Sequence, residues 1–163
     1  MGETALVDHH HHRIFLVVVD DTEEMRVALR FAALRARNTG GRIALFLALE
    51  PANFHHWAGV SALMEDEARL EAEHRLVELV DLAYEMSEQM AVVYIRVGPI
   101  VRELTSLVSE DPTISVLILA AGTGADGPGP LVSYLGGKGA NTLRIPYTVV
   151  PGSLTDAQID ALT

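Results

Sequence analysis

Apolar runs alternating with helix-like stretches predict an α/β protein with a five-stranded parallel open sheet and helices on both faces, a Rossmann-like three-layer sandwich. Three observations carry that expectation. The runs Ile14–Val19 and Val116–Ala121 are continuously apolar rather than alternating, as in strands covered on both faces. Between the runs, apolar residues recur at helical spacing. The run closing at Ala121 opens into a glycine-rich segment, at the carboxyl end of a strand, where open α/β sheets bind ligands.

The elements follow in order. Residues 1–12 form a polar leader ending in His9–His12, expected to be a disordered arm or an engineered remnant rather than a metal site. The main domain is expected over 13–152. After the first strand come Asp20, Asp21 and Thr22; Asp21 or Thr22 is expected to cap the next helix, with Glu23 and Glu24 in its first turn. That explanation does not need Asp20, a carboxylate at the end of a central strand, which therefore faces a ligand or caps the helix start itself. Met25, Ala28, Leu29, Ala32 and Ala36 mark the helix, and Asn38–Gly41 stops it. A second strand, Ile43–Leu49, ends in Glu50–Pro51. The segment Ala52–Gly59 holds His55, His56 and Trp57, expected to serve loop or interface packing. A long helix from Val60 to Met90 then presents Leu76, Leu79, Val80, Ala83, Met86 and Met90 as its buried stripe.

A third strand is expected over Ala91–Val97, followed by a helix on Ile100, Leu104, Leu107 and Val108 that Asp111–Pro112 stops. Beyond the glycine segment, Ala140–Arg144 leaves room for a turn or two of helix. Tyr147–Val150, bounded by Pro146 and Pro151, is expected as an edge strand. The tail, 153–163, carries the capping-box pattern Thr155–Gln158 ahead of a short helix.

Composition narrows the function. With 12 basic and 22 acidic residues the formal charge is −10, which repels nucleic acid and anionic membrane. There is no cysteine, hence no disulfide, thiolate metal site or cysteine nucleophile. No apolar run is long enough to span a bilayer and no signal-peptide pattern is present, so a cytoplasmic location is expected.

Two phosphate motifs fail in the glycine segment. Gly122–Gly127 matches G-x-G-x-x-G, but Pro128–Gly129–Pro130 forbids an immediate helix and no acidic residue stands where a ribose would need it. Gly137–Lys138 resembles the end of a Walker A loop, yet Val132 occupies the first glycine position and Gly139 replaces the magnesium-binding hydroxyl. The glycines make turns, or their amides hold a phosphate.

Over about Arg13–Gly152 the chain resembles the universal stress protein family, whose fold is that of the adenine nucleotide alpha-hydrolases. The resemblance rests on Val19–Asp20–Asp21–Thr22 closing the first strand, on Glu50–Pro51, on Val97–Gly98–Pro99, and on the nucleotide loop G-2x-G-9x-G at Gly124, Gly127 and Gly137. It implies an adenine nucleotide, ATP or AMP, with magnesium accompanying ATP, and a stress-response or signalling role. It implies that Asp20, with Asp21 beside it, faces the ribose or adenine, that Val19 and Ala48 line the adenine pocket, and that the glycine amides hold phosphate. Gly122 offers a second alignment of the first glycine. Lys138 stands where ATP-binding relatives have Ser or Thr, and Gly139 follows it. The resemblance further implies a homodimer through the edge strand Tyr147–Val150. The second reading is a nucleotide-free homodimeric interaction protein on the same fold. The sequence offers no nucleophile–base pair and no metal-ligand cluster, so any hydrolysis would rest on positioning alone and be slow.

Overall fold

The computed structural model describes residues 13–50 and 58–163, with only the backbone of 58–61. The His9–His12 tract and the His55–Trp57 segment lie outside the described residues. Five strands, β1 (Ile14–Val18), β2 (Arg42–Leu49), β3 (Val92–Val97), β4 (Ile114–Ala121) and β5 (Tyr147–Pro151), form one sheet in the order β3-β2-β1-β4-β5. Every pairing is parallel. The helices are α1 (Glu24–Thr39), α2 (Ala58–Ser87), α3 (Ile100–Glu110), α4 (Pro130–Leu135) and α5 (Asp156–Leu162).

The central strand β1 explains its own apolar run. Phe15, Val17 and Val19 face the layer of α1 and α2, while Ile14, Leu16 and Val18 face α3 and α4. Both faces are covered, so no polar residue is tolerated. Truncating Leu16, which has no exposed surface, to alanine would cost ~2–5 kcal/mol. Helix α1 packs on the sheet through Met25, Ala28, Leu29, Ala32, Ala33 and Ala36, whose alanines allow close approach. It ends as expected: Gly40 takes the left-handed conformation, φ 68°, and its amide donates to Ala36 O.

Strand β1 lies beside β2, which follows it in the chain, and beside β4, which arrives much later. Chain direction across the sheet reverses there. That topological switch opens a crevice at the carboxyl ends of β1 and β4.

Three expectations are corrected. The segment Ala140–Arg144 forms turns instead of helix, and the helix lies upstream, beginning at Pro130. Proline at the first helical position loses nothing, because that amide has no intrahelical acceptor. The cap of α1 is Glu23 without a side-chain bond, and neither Asp21 nor Thr22 caps it by side chain. Asp20 makes the turn: its Oδ1 accepts from Thr22 N at 2.8 Å and from the Thr22 hydroxyl. Finally, Met90 lies beyond the end of α2 and is exposed; Ala72, Leu76, Leu79 and Ala83 form the buried stripe. The tail fulfils its pattern, with Thr155 Oγ1 accepting from Gln158 N and Gln158 Oε1 accepting from Thr155 N. Helix α5 packs against α1, Ile159 is fully buried, and Arg30 pairs with Asp160.

Candidate functional site

The crevice at the switch holds a cavity of about 430 Å³, within the size of small-molecule sites. Its floor is Val18 at the end of β1 and Leu119–Ala120 near the end of β4. One wall is the turn into α1, with Asp20, Thr22 and Glu24. The other is built from Ile100 and Val101 at the start of α3 and from Pro130, Leu131 and Val132 at the start of α4, with Tyr134 behind them. Gly122, Gly127, Pro128 and Gly129 form the rim.

The two walls differ in charge. Asp20 and Glu24 are the only ionisable carboxyls or amines among the described residues that line the cavity. Asp20 commits one oxygen to the turn. Glu24 Oε1 accepts from Thr123 N at 3.0 Å and Thr123 Oγ1 at 2.7 Å, clipping α1 to the loop after β4. The Thr123 hydroxyl, and after it the Thr123 amide, hold the Glu24 carboxyl below its ordinary range. Opposite, the cavity meets two helix starts, whose amides carry partial positive charge. In α4 the first intrahelical bond runs from Ser133 N to Gly129 O, so the Leu131 and Val132 amides precede the ladder. In α3 the Ile100 amide is taken by Glu50 Oε1 at 2.9 Å.

The glycine amides are largely occupied. Gly122 N donates to Pro128 O and Gly127 N to Gly124 O. Gly137 N and Gly139 N both donate to Tyr134 O, closing the carboxyl end of α4. Helix α4 fills the nine-residue gap between Gly127 and Gly137, so the two ends of the motif stand at opposite ends of a helix roughly 9 Å long. Gly137, Lys138 and Gly139 are accordingly not among the cavity's lining residues. Lys138 is exposed, with its ammonium 5.8 Å from the centre of the Tyr134 ring.

Of the residues singled out from sequence, the structure brings together Asp20, Gly122 and Gly127. Gly124 accepts the bond from Gly127 but does not line the cavity. Val19 is buried on the opposite face, against α1, and Val18 takes the place expected of it. Asp21 is exposed and pairs with Arg75 of α2. Ala48 is half-buried on the α3 side and outside the lining. Sequence reasoning missed Val18, Ile100, Val101, Leu131, Val132 and Tyr134. Alternation along the strand puts Val18 on the face of Ile14 and Leu16, but the opposite face is equally apolar, so the residue types do not mark which face meets the cavity.

No helix among the described residues is long and apolar enough to cross a membrane, and none of their His, Asp or Glu side chains form a group of three able to hold a metal. No curated protein matches the chain significantly. Solved structures do. Universal stress protein UspA from Lactobacillus plantarum aligns with a TM-score of 0.73 at 16% identity, over 85% of this chain and 97% of that one. A universal stress protein from Burkholderia pseudomallei aligns at 0.65 and 14%, over 87% and 98%. A universal stress protein solved in complex with cAMP aligns at 0.58 and 18%, over 86% and 98%. At such identities these likenesses speak for the fold. The profile of the Universal stress protein family matches residues 11–127, ending at the second glycine of the loop. With most of its length inside that match, the chain belongs to the universal stress protein family.

Proposed function

We propose that the protein binds an adenine mononucleotide in the crevice between β1 and β4 and serves as a stress-response or signalling module. One observation carries the reading: a 430 Å³ cavity at the topological switch has carboxylates on one wall and two helix starts on the other. Asp20, with one oxygen outside the turn, accepts from ribose hydroxyls. The base lies against Val18, Leu119 and Val132, and a single phosphate meets the first-turn amides of α4. The cAMP complex of a relative is consistent with a ligand of that size. A triphosphate fits less well, because Gly137 N and Gly139 N are bonded to Tyr134 O and Asp20 and Glu24 repel added negative charge. AMP is therefore favoured over ATP, with or without magnesium.

The same proposal includes a homodimer. Strand β5 ends the sheet and α5 docks on α1, which supports pairing of the Tyr147–Val150 edge with a second copy.

Thermal unfolding with adenosine, AMP, cAMP and ATP tests the ligand. At a hundredfold excess over Kd, AMP should stabilise by about 2.7 kcal/mol, which for a chain of this length raises Tm by roughly 5–10 °C. No shift with any of the four at millimolar concentration overturns the nucleotide reading in favour of the nucleotide-free interaction protein. Sedimentation of the Thr148→Pro variant tests the edge, since proline removes one amide donor and should yield monomer.

A further inference from the structure

Helix α2 is thirty residues long, and its inner stripe, Ala72, Leu76, Leu79 and Ala83, packs toward α1. Its outward side is not simply polar. Leu63, Leu70, Val77 and Tyr84 recur every seven residues, which places them in one row along about six turns. They are 61%, 56%, 60% and 51% exposed. Solvated helix faces normally lack such a row, and singly scattered apolar residues do not fall into register. The row is also anchored to a hollow: Val77 walls a groove of about 290 Å³ with Val80, Val93 and Ile95, between α2 and the edge strand β3.

The flanks of the row identify the occupant by charge. Asp66, Glu67, Glu78, Asp81 and Glu85 border it, all exposed, and among the described residues none of them has a cationic partner. Two copies of α2 laid together would set these carboxylates against one another. A helix with the opposite pattern would match both features, its leucines in the row and its lysines or arginines over the carboxylates. We propose that the outward face of α2 docks a basic amphipathic helix of a partner protein, with an apolar side chain seated in the groove beside Val77. This surface is separate from the β1–β4 crevice and does not depend on its ligand.

Fluorescence anisotropy with a labelled 21-residue peptide tests it. The peptide carries leucine at seven-residue intervals and lysine on either side; a scrambled peptide of equal composition is the control. Saturable binding in the micromolar range is expected, weakening as salt rises from 50 to 500 mM because the flanking charges are exposed. The double variant Leu70→Asp, Val77→Asp, both at exposed positions, should bind at least tenfold more weakly with its Tm within a few degrees of the parent. Glu78→Lys with Asp81→Lys should weaken binding similarly and remove most of the salt dependence. Equal binding of the scrambled peptide, or undiminished binding by the Leu70, Val77 variant, would reduce the effect to general charge attraction and overturn the proposal. No binding at 100 μM would overturn it as well. Self-association that Val77→Asp abolishes would assign the row to a second copy and equally refute it.

Discussion

The glycines at the two ends of α4 are the same residue type in one short segment, yet they do different things. At the near end, Gly122 and Gly127 lie on the rim of the cavity, and Gly127 takes φ 89°, a conformation that side chains resist. At the far end, Gly137 and Gly139 send their amides back to Tyr134 O and close a helix. The difference teaches that a glycine motif is not a set of free donors. All four amides already have acceptors, so what separates the two ends is whether the backbone lines the cavity.

That contrast is open to measurement. The largest effect belongs to the near side, where Asp20→Ala removes a carboxylate that holds the turn and faces the cavity. Losing a hydrogen bond to a charged group costs ~1.5–3 kcal/mol, so AMP affinity by calorimetry should fall at least tenfold. A variant that binds AMP as the parent does would place the ligand elsewhere. At the far end, a Cβ on Gly139 would land in the Tyr134 ring. Gly139→Ala is expected to destabilise by ~1–3 kcal/mol through overpacking, measured by urea unfolding with unchanged slope.

Lys138→Ala sharpens the comparison further. If the far end takes no part in phosphate binding, AMP and ATP affinities should both stay within twofold. Loss of the contact with Tyr134 should cost no more than ~0.5–1 kcal/mol of stability. Selective weakening of ATP would return the far glycines to the site.

The smallest effect concerns pH. The Glu24 carboxyl is held below its ordinary 4.5 by the Thr123 hydroxyl first and the Thr123 amide second. Its folded value is lower than its unfolded one, so the stability it contributes is present above pH 4.5 and is lost as pH falls through the folded value. Thr123→Val deletes the first cause and keeps the amide. The Tm of this variant should decline less steeply than the parent's just below pH 4.5, and the two curves should run parallel near neutrality.

Much of the fold was legible because its signals were local. The apolar run of β1, the stop at Gly40 and the capping box at Thr155 each need only a few neighbouring residues to be read. The site was less legible for two physical reasons. A strand buried on both faces shows no alternation in its residue types, so nothing in Val18–Val19 says which one lines the cavity. A six-residue helix has too few turns to show a period, and Pro128–Gly129–Pro130 reads as a breaker although Pro130 opens the helix. Asp20 is legible as a polar residue at the end of a central strand, and the structure puts it at the cavity, where it also makes the turn through Thr22.

The place of β1 between β2 and β4 also bears on how the chain acquires its structure. Ile14 pairs with Arg42 on one side and with Ile114, roughly a hundred residues later, on the other. During synthesis, β1, α1 and β2 can zip together early, while the remaining hydrogen-bonding edge of β1 stays open until β4 leaves the ribosome. For that interval the most hydrophobic strand of the protein is an edge, the configuration most prone to joining the wrong partner. The nascent chain is thus most exposed to aggregation midway through translation, well before the crevice exists.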